Sequence, residues 1–235
     1  MEKLLSLLVI AVLGSSAGNA LASTNDEGYY GAARLSKVWQ KADNMDTSSR
    51  PGIGQFVTGD DKDDFYNGSL AAGYQFGNGW RTEGEYTFNK KAEYTSGSTI
   101  FSTSFNHHKT ESQRLMLNAY RDYEIYQGIS IYGTVGVGIA KVKSSGWQGN
   151  VTRQYASNTD TNIAYSLGAG VSYEPINKLN FDLGYRYVDL GKIESGMNRF
   201  TNARGLQDEQ MKDPVNNSVY LPFIKCDRLG GHQTQ

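Results

Sequence analysis

Cysteine is all but missing. Cys226 is the only one in 235 residues, so no disulfide can form within the chain. An excess of either charge is missing too: 23 Lys and Arg against 24 Asp and Glu leave a net charge of −1, which excludes a strongly basic nucleic-acid binder. Long apolar runs are equally scarce. The mean hydropathy is −0.53, and beyond Leu13 no segment is apolar enough for a transmembrane helix. The run from Leu4 to Leu13 is itself too short to cross a bilayer. It follows Glu2 and Lys3 and leads through Gly14, Ser15 and Ser16 to the small-residue site Ala20-Leu21-Ala22. Residues 1–22 therefore read as a secretory signal peptide cut after Ala22, and the absence of a nearby cysteine argues against a lipoprotein.

Alternation is what the chain has in abundance. From Ile163 to Tyr173 one set of alternate positions is Ile163, Tyr165, Leu167, Ala169, Val171 and Tyr173, and the other is Ala164, Ser166, Gly168, Gly170 and Ser172. Leu179, Phe181, Leu183, Tyr185 and Tyr187 repeat the pattern against Asn180, Asp182, Gly184 and Arg186. Successive strand side chains point to opposite faces, so each segment has one greasy face and one polar or tiny face. Six more such segments run through about residues 29–38, 67–76, 80–89, 114–123, 129–140 and 217–224.

Tight links around Gly77, Gln127 and Pro175 alternate with four longer segments, about residues 39–64, 91–111, 141–161 and 191–215. The expectation is all-β: an eight-stranded antiparallel up-and-down transmembrane β-barrel over 23–224, with the long segments as outer loops. Alternation hides its lipid-facing band inside a polar average. A β-sandwich is the competing architecture, but it would not need so many apolar residues on the outward phase. Tyr29, Tyr30, Phe76, Trp80, Tyr123, Tyr126 and Tyr173 gather near the short turns, as an interfacial girdle would. Arg121 falls on the outward phase near that edge, where a long cation reaches for the headgroups.

The inward phase carries Arg34, Arg81, Glu83, Glu85, Arg114, Asp122, Asp182 and Arg186. Eight strands leave an interior that side chains fill, so these charges are expected to neutralise one another as a plug. A narrow channel is the alternative. Function then belongs to the loops. Lys90, Lys91, His107, His108 and Lys109 lie among Tyr94, Phe101 and Phe105, and Lys141, Lys143 and Arg153 accompany Trp147. Basic residues among aromatics suit an anionic polymer such as a sulfated glycan, or the phosphates of lipopolysaccharide; a charged, solvated surface with no ligand is the plain alternative.

Asp60, Asp61, Asp63 and Asp64 lack the spacing of a calcium loop, and neither metal nor cofactor is expected. His107 and His108 beside Ser102, Ser104 and Glu111 do not make an enzyme, because adjacent residues on an extended chain point apart.

Leu115-Met116-Leu117-Asn118-Ala119-Tyr120, Ile131-Tyr132-Gly133 through Val137-Gly138, Ser166-Leu167-Gly168-Ala169-Gly170-Val171 and Leu183-Gly184-Tyr185-Arg186-Tyr187 resemble the OmpA-type and opacity-like outer-membrane barrels. The enterobacterial adhesins and invasins of the Tia, Hek and PagN type are the most similar group. The resemblance covers the second to seventh strands and hardly touches the loops. It implies a surface protein of the outer membrane that promotes adhesion or invasion by binding host-surface glycans or matrix. The alternatives are an envelope-integrity barrel without a specific ligand and a narrow porin.

One departure from the family pattern concerns the closing strand, which normally ends in a Phe read by the barrel assembly machinery. Here Pro222 interrupts it and a polar tail, 225–235, follows without a terminal aromatic, so assembly is expected to suffer.

Overall fold

The structure, a computed structural model, describes residues 27–42, 49–50, 54–58, 62–100, 106–176, 179–201, 205–207 and 212–227. The segment read as a signal peptide, with the cleavage expected after Ala22, and residues 228–235 of the expected tail lie outside these. Ten strands follow one another: β1 (Glu27–Ala42), β2 (Ser49–Arg50), β3 (Gly54–Thr58), β4 (Lys62–Phe76), β5 (Trp80–Ser98), β6 (Asn106–Tyr126), β7 (Ile129–Gln148), β8 (Gln154–Ile176), β9 (Leu179–Glu194) and β10 (Lys212–Asp227).

The long strands pair antiparallel in the order β5-β4-β1-β10-β9-β8-β7-β6, and β6 pairs again with β5. The short β3 joins the far end of β5, with Val57 opposite Gly97, and β2 joins β3. This is the expected up-and-down order of eight long strands. Gly77, Gly79 and Gly128 supply the positive φ of the tight turns. In β10, Pro222 stands in register with Leu183, and the strand takes in Lys225, Cys226 and Asp227 from the segment read as a tail.

The strands are longer than the alternation suggested. β6, β7 and β8 hold 21, 20 and 23 residues, roughly 65–75 Å of chain at ~3.3 Å per residue, against an apolar band of about 25 Å in such barrels. Much of what reads as the second and third loops, 91–98, 106–111, 141–148 and 154–161, is strand. The reason is an exchange of faces along each strand. On β7, Ile131, Val135, Val137 and Ile139 are exposed and Thr134, Gly136 and Gly138 point inward; one step further Lys141 and Lys143 are exposed while Ala140 and Val142 are fully buried. On β9 the exposed Phe181, Leu183, Tyr185 and Tyr187 give way to the buried Val188 and Leu190.

Lipid surrounds the first zone and water the second, so apolar side chains face out in one and in in the other. Val38, Ala140, Val142, Ala164, Val188 and Leu190, with Phe65 against them, form the apolar core of the water-surrounded zone. On β5 a bulge between Thr87 and Lys90 makes the same exchange, turning Ala92 and Tyr94 inward.

Below that core the lumen is polar and crossed by ion pairs. Arg34 pairs with Glu83 at 2.5 Å and Glu85 at 3.5 Å, and Arg186 with Glu85 at 2.5 Å. Arg81 pairs with Asp122 at 2.9 Å and Asp182 at 3.3 Å, and its guanidinium lies 4.1 Å from the centre of the Tyr120 ring. The Tyr120 hydroxyl, fully buried at the centre of this layer, donates to Glu83 at 3.2 Å and accepts from Arg186. Tyr30 donates to Glu83 and Ser69 to Glu85. Three arginines thus pair with four carboxylates, and Arg114, opposite Thr87, is buried above them. Glycine on the inward phase makes room for the rings: a Cβ at Gly170 or Gly184 would stand 2.4 or 2.2 Å from the Tyr132 hydroxyl.

Two outcomes are expected in urea unfolding from lipid vesicles. Val135→Arg, in the middle of the apolar run, costs about 2–4 kcal/mol, whereas Ser145→Arg on the same face of β7 costs less than about 1 kcal/mol; equal costs would contradict the membrane boundary drawn here. Arg81→Met leaves Asp122 and Asp182 without their cation and costs about 3–5 kcal/mol, and adding Asp122→Asn and Asp182→Asn recovers much of it.

Candidate functional site

The lumen charges are committed to ion pairs with one another, and the water-surrounded zone offers the outer surface for contact. On its outer face the strand register decides which cations meet. Lys91, Glu93 and Thr95 of β5 stand opposite Glu111, Lys109 and His107 of β6, which stand opposite Lys143, Ser145 and Trp147 of β7. Lys141 lies one step below, opposite Gln113. Five of the eight candidate residues, Lys91, His107, Lys109, Lys141 and Lys143, therefore share one three-stranded face.

The face is knitted by its own contacts. The His107 ring stacks on Trp147 with centroids 4.7 Å apart and planes 12° from parallel, and the Lys109 ammonium sits 4.6 Å from the Trp147 centroid. Glu93 lies 2.9 Å from His107 Nδ1 and 3.5 Å from Lys109 Nζ. Lys91 pairs with Glu111 at 3.1 Å, and that hydrogen bond lowers the Glu111 pKa from its ordinary value against a smaller upward push from burial. Lys141 and Lys143 are exposed. Two carboxylates among four lysines and a histidine leave the face basic, with an indole held rigidly at its outer end.

The other three candidates do not join it. His108 turns inward, 3 % exposed, with Nε2 2.5 Å from Ser144 Oγ; a Ser–His pair sealed from solvent is a packing contact. Lys90 is exposed at the β5 bulge. Arg153 belongs to the β7–β8 hairpin tip, donating to Gln148 at 2.8 Å and lying over Phe200 at 4.4 Å. That tip is stiffened by the segment after β9: Gly196 donates to the Ala156 carbonyl, Ala156 to Met197 and Arg199 to Gln154, at 2.8, 2.8 and 2.9 Å.

All seven lumen candidates, Arg34, Arg81, Glu83, Glu85, Arg114, Asp182 and Arg186, are buried. Sequence reasoning missed the central part of Tyr120 there; an aromatic on an otherwise polar phase was the available signal. Of the aspartate run, Asp64 pairs with Lys37 at 3.0 Å, while Asp60 and Asp61 lie outside the described residues.

Residues 7–212 match the family described as outer membrane protein beta-barrel domain. The chain is 26 % identical over 208 residues to a candidate adhesin of Rickettsia rickettsii, covering 83 % of this chain and 87 % of the relative. It is 26 % identical over 150 residues to outer membrane protein PagN of Salmonella typhimurium, covering 57 % and 62 %. The crystal structure of the outer membrane protein OprG from Pseudomonas aeruginosa aligns with a TM-score of 0.51 at 13 % identity, over 87 % of this chain and 98 % of that one, a likeness of fold. The alternation, the ring of paired strands and the family match agree: the chain belongs to the outer-membrane β-barrel family and resides in the bacterial outer membrane.

Proposed function

We propose that this barrel is an adhesin that contacts host-surface sulfated glycans or matrix through the basic outer face of β5–β7. The observation that carries the reading is the convergence of Lys91, His107, Lys109 and Lys143 on one exposed face of a rigid sheet extension. A preformed cationic surface attracts a polyanion without paying to order loops. The relatives support the reading: one is described as a candidate adhesin, and PagN is an outer-membrane protein of the group the sequence resembles. No catalytic constellation enters this reading. The two neighbouring histidines face opposite sides of the sheet, and His108 with Ser144 is sealed inside. Insertion by the barrel assembly machinery belongs to the same proposal.

Lys141 favours a second partner. It is one outward step beyond Ile139, where the continuous apolar run on that face of β7 ends, and a cation at that edge suits lipopolysaccharide phosphates. The basic face is then divided: its lower end engages lipopolysaccharide of its own membrane and its upper end an external glycan.

Barrels in nanodiscs, loaded on immobilised heparin, test the division. Lys109→Glu with Lys143→Glu weakens retention at least about tenfold, and added salt weakens that of the wild type; unchanged retention would reject the glycan reading. Lys141→Gln lowers affinity for purified lipopolysaccharide roughly fivefold while leaving heparin retention nearly unaltered. If it impairs both equally, one undivided anion surface is present.

A further inference from the structure

At the opposite end of the barrel, one cation stands where lipid should be. The outward phase of β6 runs Leu115, Leu117, Ala119, Arg121, Tyr123, so Arg121 interrupts the lipid-facing row. Among the described residues no carboxylate pairs with it: its neighbour Asp122 points inward to Arg81. Instead Arg121 is opposite Trp80, with its guanidinium 5.4 Å from the Trp80 centroid and 4.8 Å from that of Tyr123, and Nη1 donates to the Asn78 carbonyl. The turn makes room for this pose, since a Cβ at Gly79 would come within 3.0 Å of Nη1. On the other flank the cross-strand partner is Gly133, where a Cβ would meet nothing within 4 Å, with Ala169 beyond it.

The faces of the two rings hold the cation in place, and Gly133 puts no side chain beside it on the other flank. We propose that Arg121, clamped by Trp80 and Tyr123, is a binding site for the phosphate of an anionic phospholipid, of the phosphatidylglycerol kind, in the periplasmic leaflet. The level fits, because Arg121 reaches down to the Gly77–Gly79 turn and lies eight residues from Gln113 at the outer boundary, about 27 Å along the strand. Lipopolysaccharide belongs to the outer leaflet and is out of reach. The chemistry fits too: a planar guanidinium can take two phosphate oxygens at once, and the negative headgroup neutralises a charge that no carboxylate among the described residues pairs with.

The test uses the folded barrel in a non-ionic maltoside, each variant first checked for heat-dependent mobility on gels. Dioleoylphosphatidylglycerol, dioleoylphosphatidylcholine or dioleoylglycerol is added, and retained lipid is counted by native mass spectrometry. The wild type is expected to retain one phosphatidylglycerol, less phosphatidylcholine and no dioleoylglycerol. Arg121→Leu lowers phosphatidylglycerol retention about tenfold and Arg121→Lys lowers it less, since an ammonium lacks the fork. Equal retention by Arg121→Leu overturns the site, as does equal retention of dioleoylglycerol by the wild type. Phosphatidylcholine held as well as phosphatidylglycerol overturns the anionic assignment. Should Arg121→Leu not fold, undiminished retention by Arg121→Lys overturns it instead.

Discussion

Hydrocarbon offers the backbone of a strand no partner except another strand. Every N–H and C=O between the two interfaces must therefore be met by a neighbour, and a sheet satisfies that only if its last strand comes back to its first. The pairing of β5 with β6 at one side and β1 with β10 at the other follows this demand. An eight-strand ring is narrow, and the width dictates the interior. Side chains from opposite walls touch, so a charge placed there must find its counter-charge within the layer. Glu83 and Glu85, two steps apart on one strand, meet Arg34 from β1 and Arg186 from β9 because the ring brings those strands within reach.

The same demand explains where the pattern of the sequence was legible and where it failed. Between interfaces the environment is uniform along the strand, so outward Leu115 and Leu117 against inward Arg114 and Met116 could be assigned residue by residue. Beyond Ile139 the surroundings change from lipid to water. Apolar residues cross to the inward phase at Ala140 and Val142, and a period-two reading takes that crossing for the end of a strand. On β5 the bulge adds a second change of phase at the same level. With the strands cut short, His107 and His108 could be read as pointing apart, but not which of them faces outward. Once β6 is extended to Asn106, one is an outer-face partner of Trp147 and the other a buried neighbour of Ser144. Lumen charges were legible because they lie in the uniform zone. The meeting of Lys91, Lys109 and Lys143 was not, because it depends on register across three strands.

Extending the sheet into water has a mechanical consequence for binding. A cation on a mobile loop loses conformational entropy when it is fixed against a ligand. Lys109 stands on a strand hydrogen-bonded on both sides, over an indole stacked with His107, and much of that ordering is already present before contact. The apolar core beneath, from Val142 to Leu190, makes the extension rigid. A surface so built favours a repetitive polyanion over a shaped pocket ligand, since it offers charge spacing and no cavity walls.

The two ends of the barrel solve opposite electrostatic problems with the same residue types. At the outer end lysines outnumber the carboxylates among them, and Trp147 is occupied by its own neighbours. There the surplus positive charge is spread over several side chains in water, where each is cheap to expose. At the periplasmic end the Arg121 guanidinium is held between two rings at the edge of the apolar band, where exposure is costlier and no carboxylate among the described residues pairs with it. A spread charge in water suits a large, multiply charged partner that exchanges readily. A single charge at a lipid edge suits one headgroup bound in a fixed pose. The difference follows from dielectric alone, and it separates a surface for recognition from a site for anchorage.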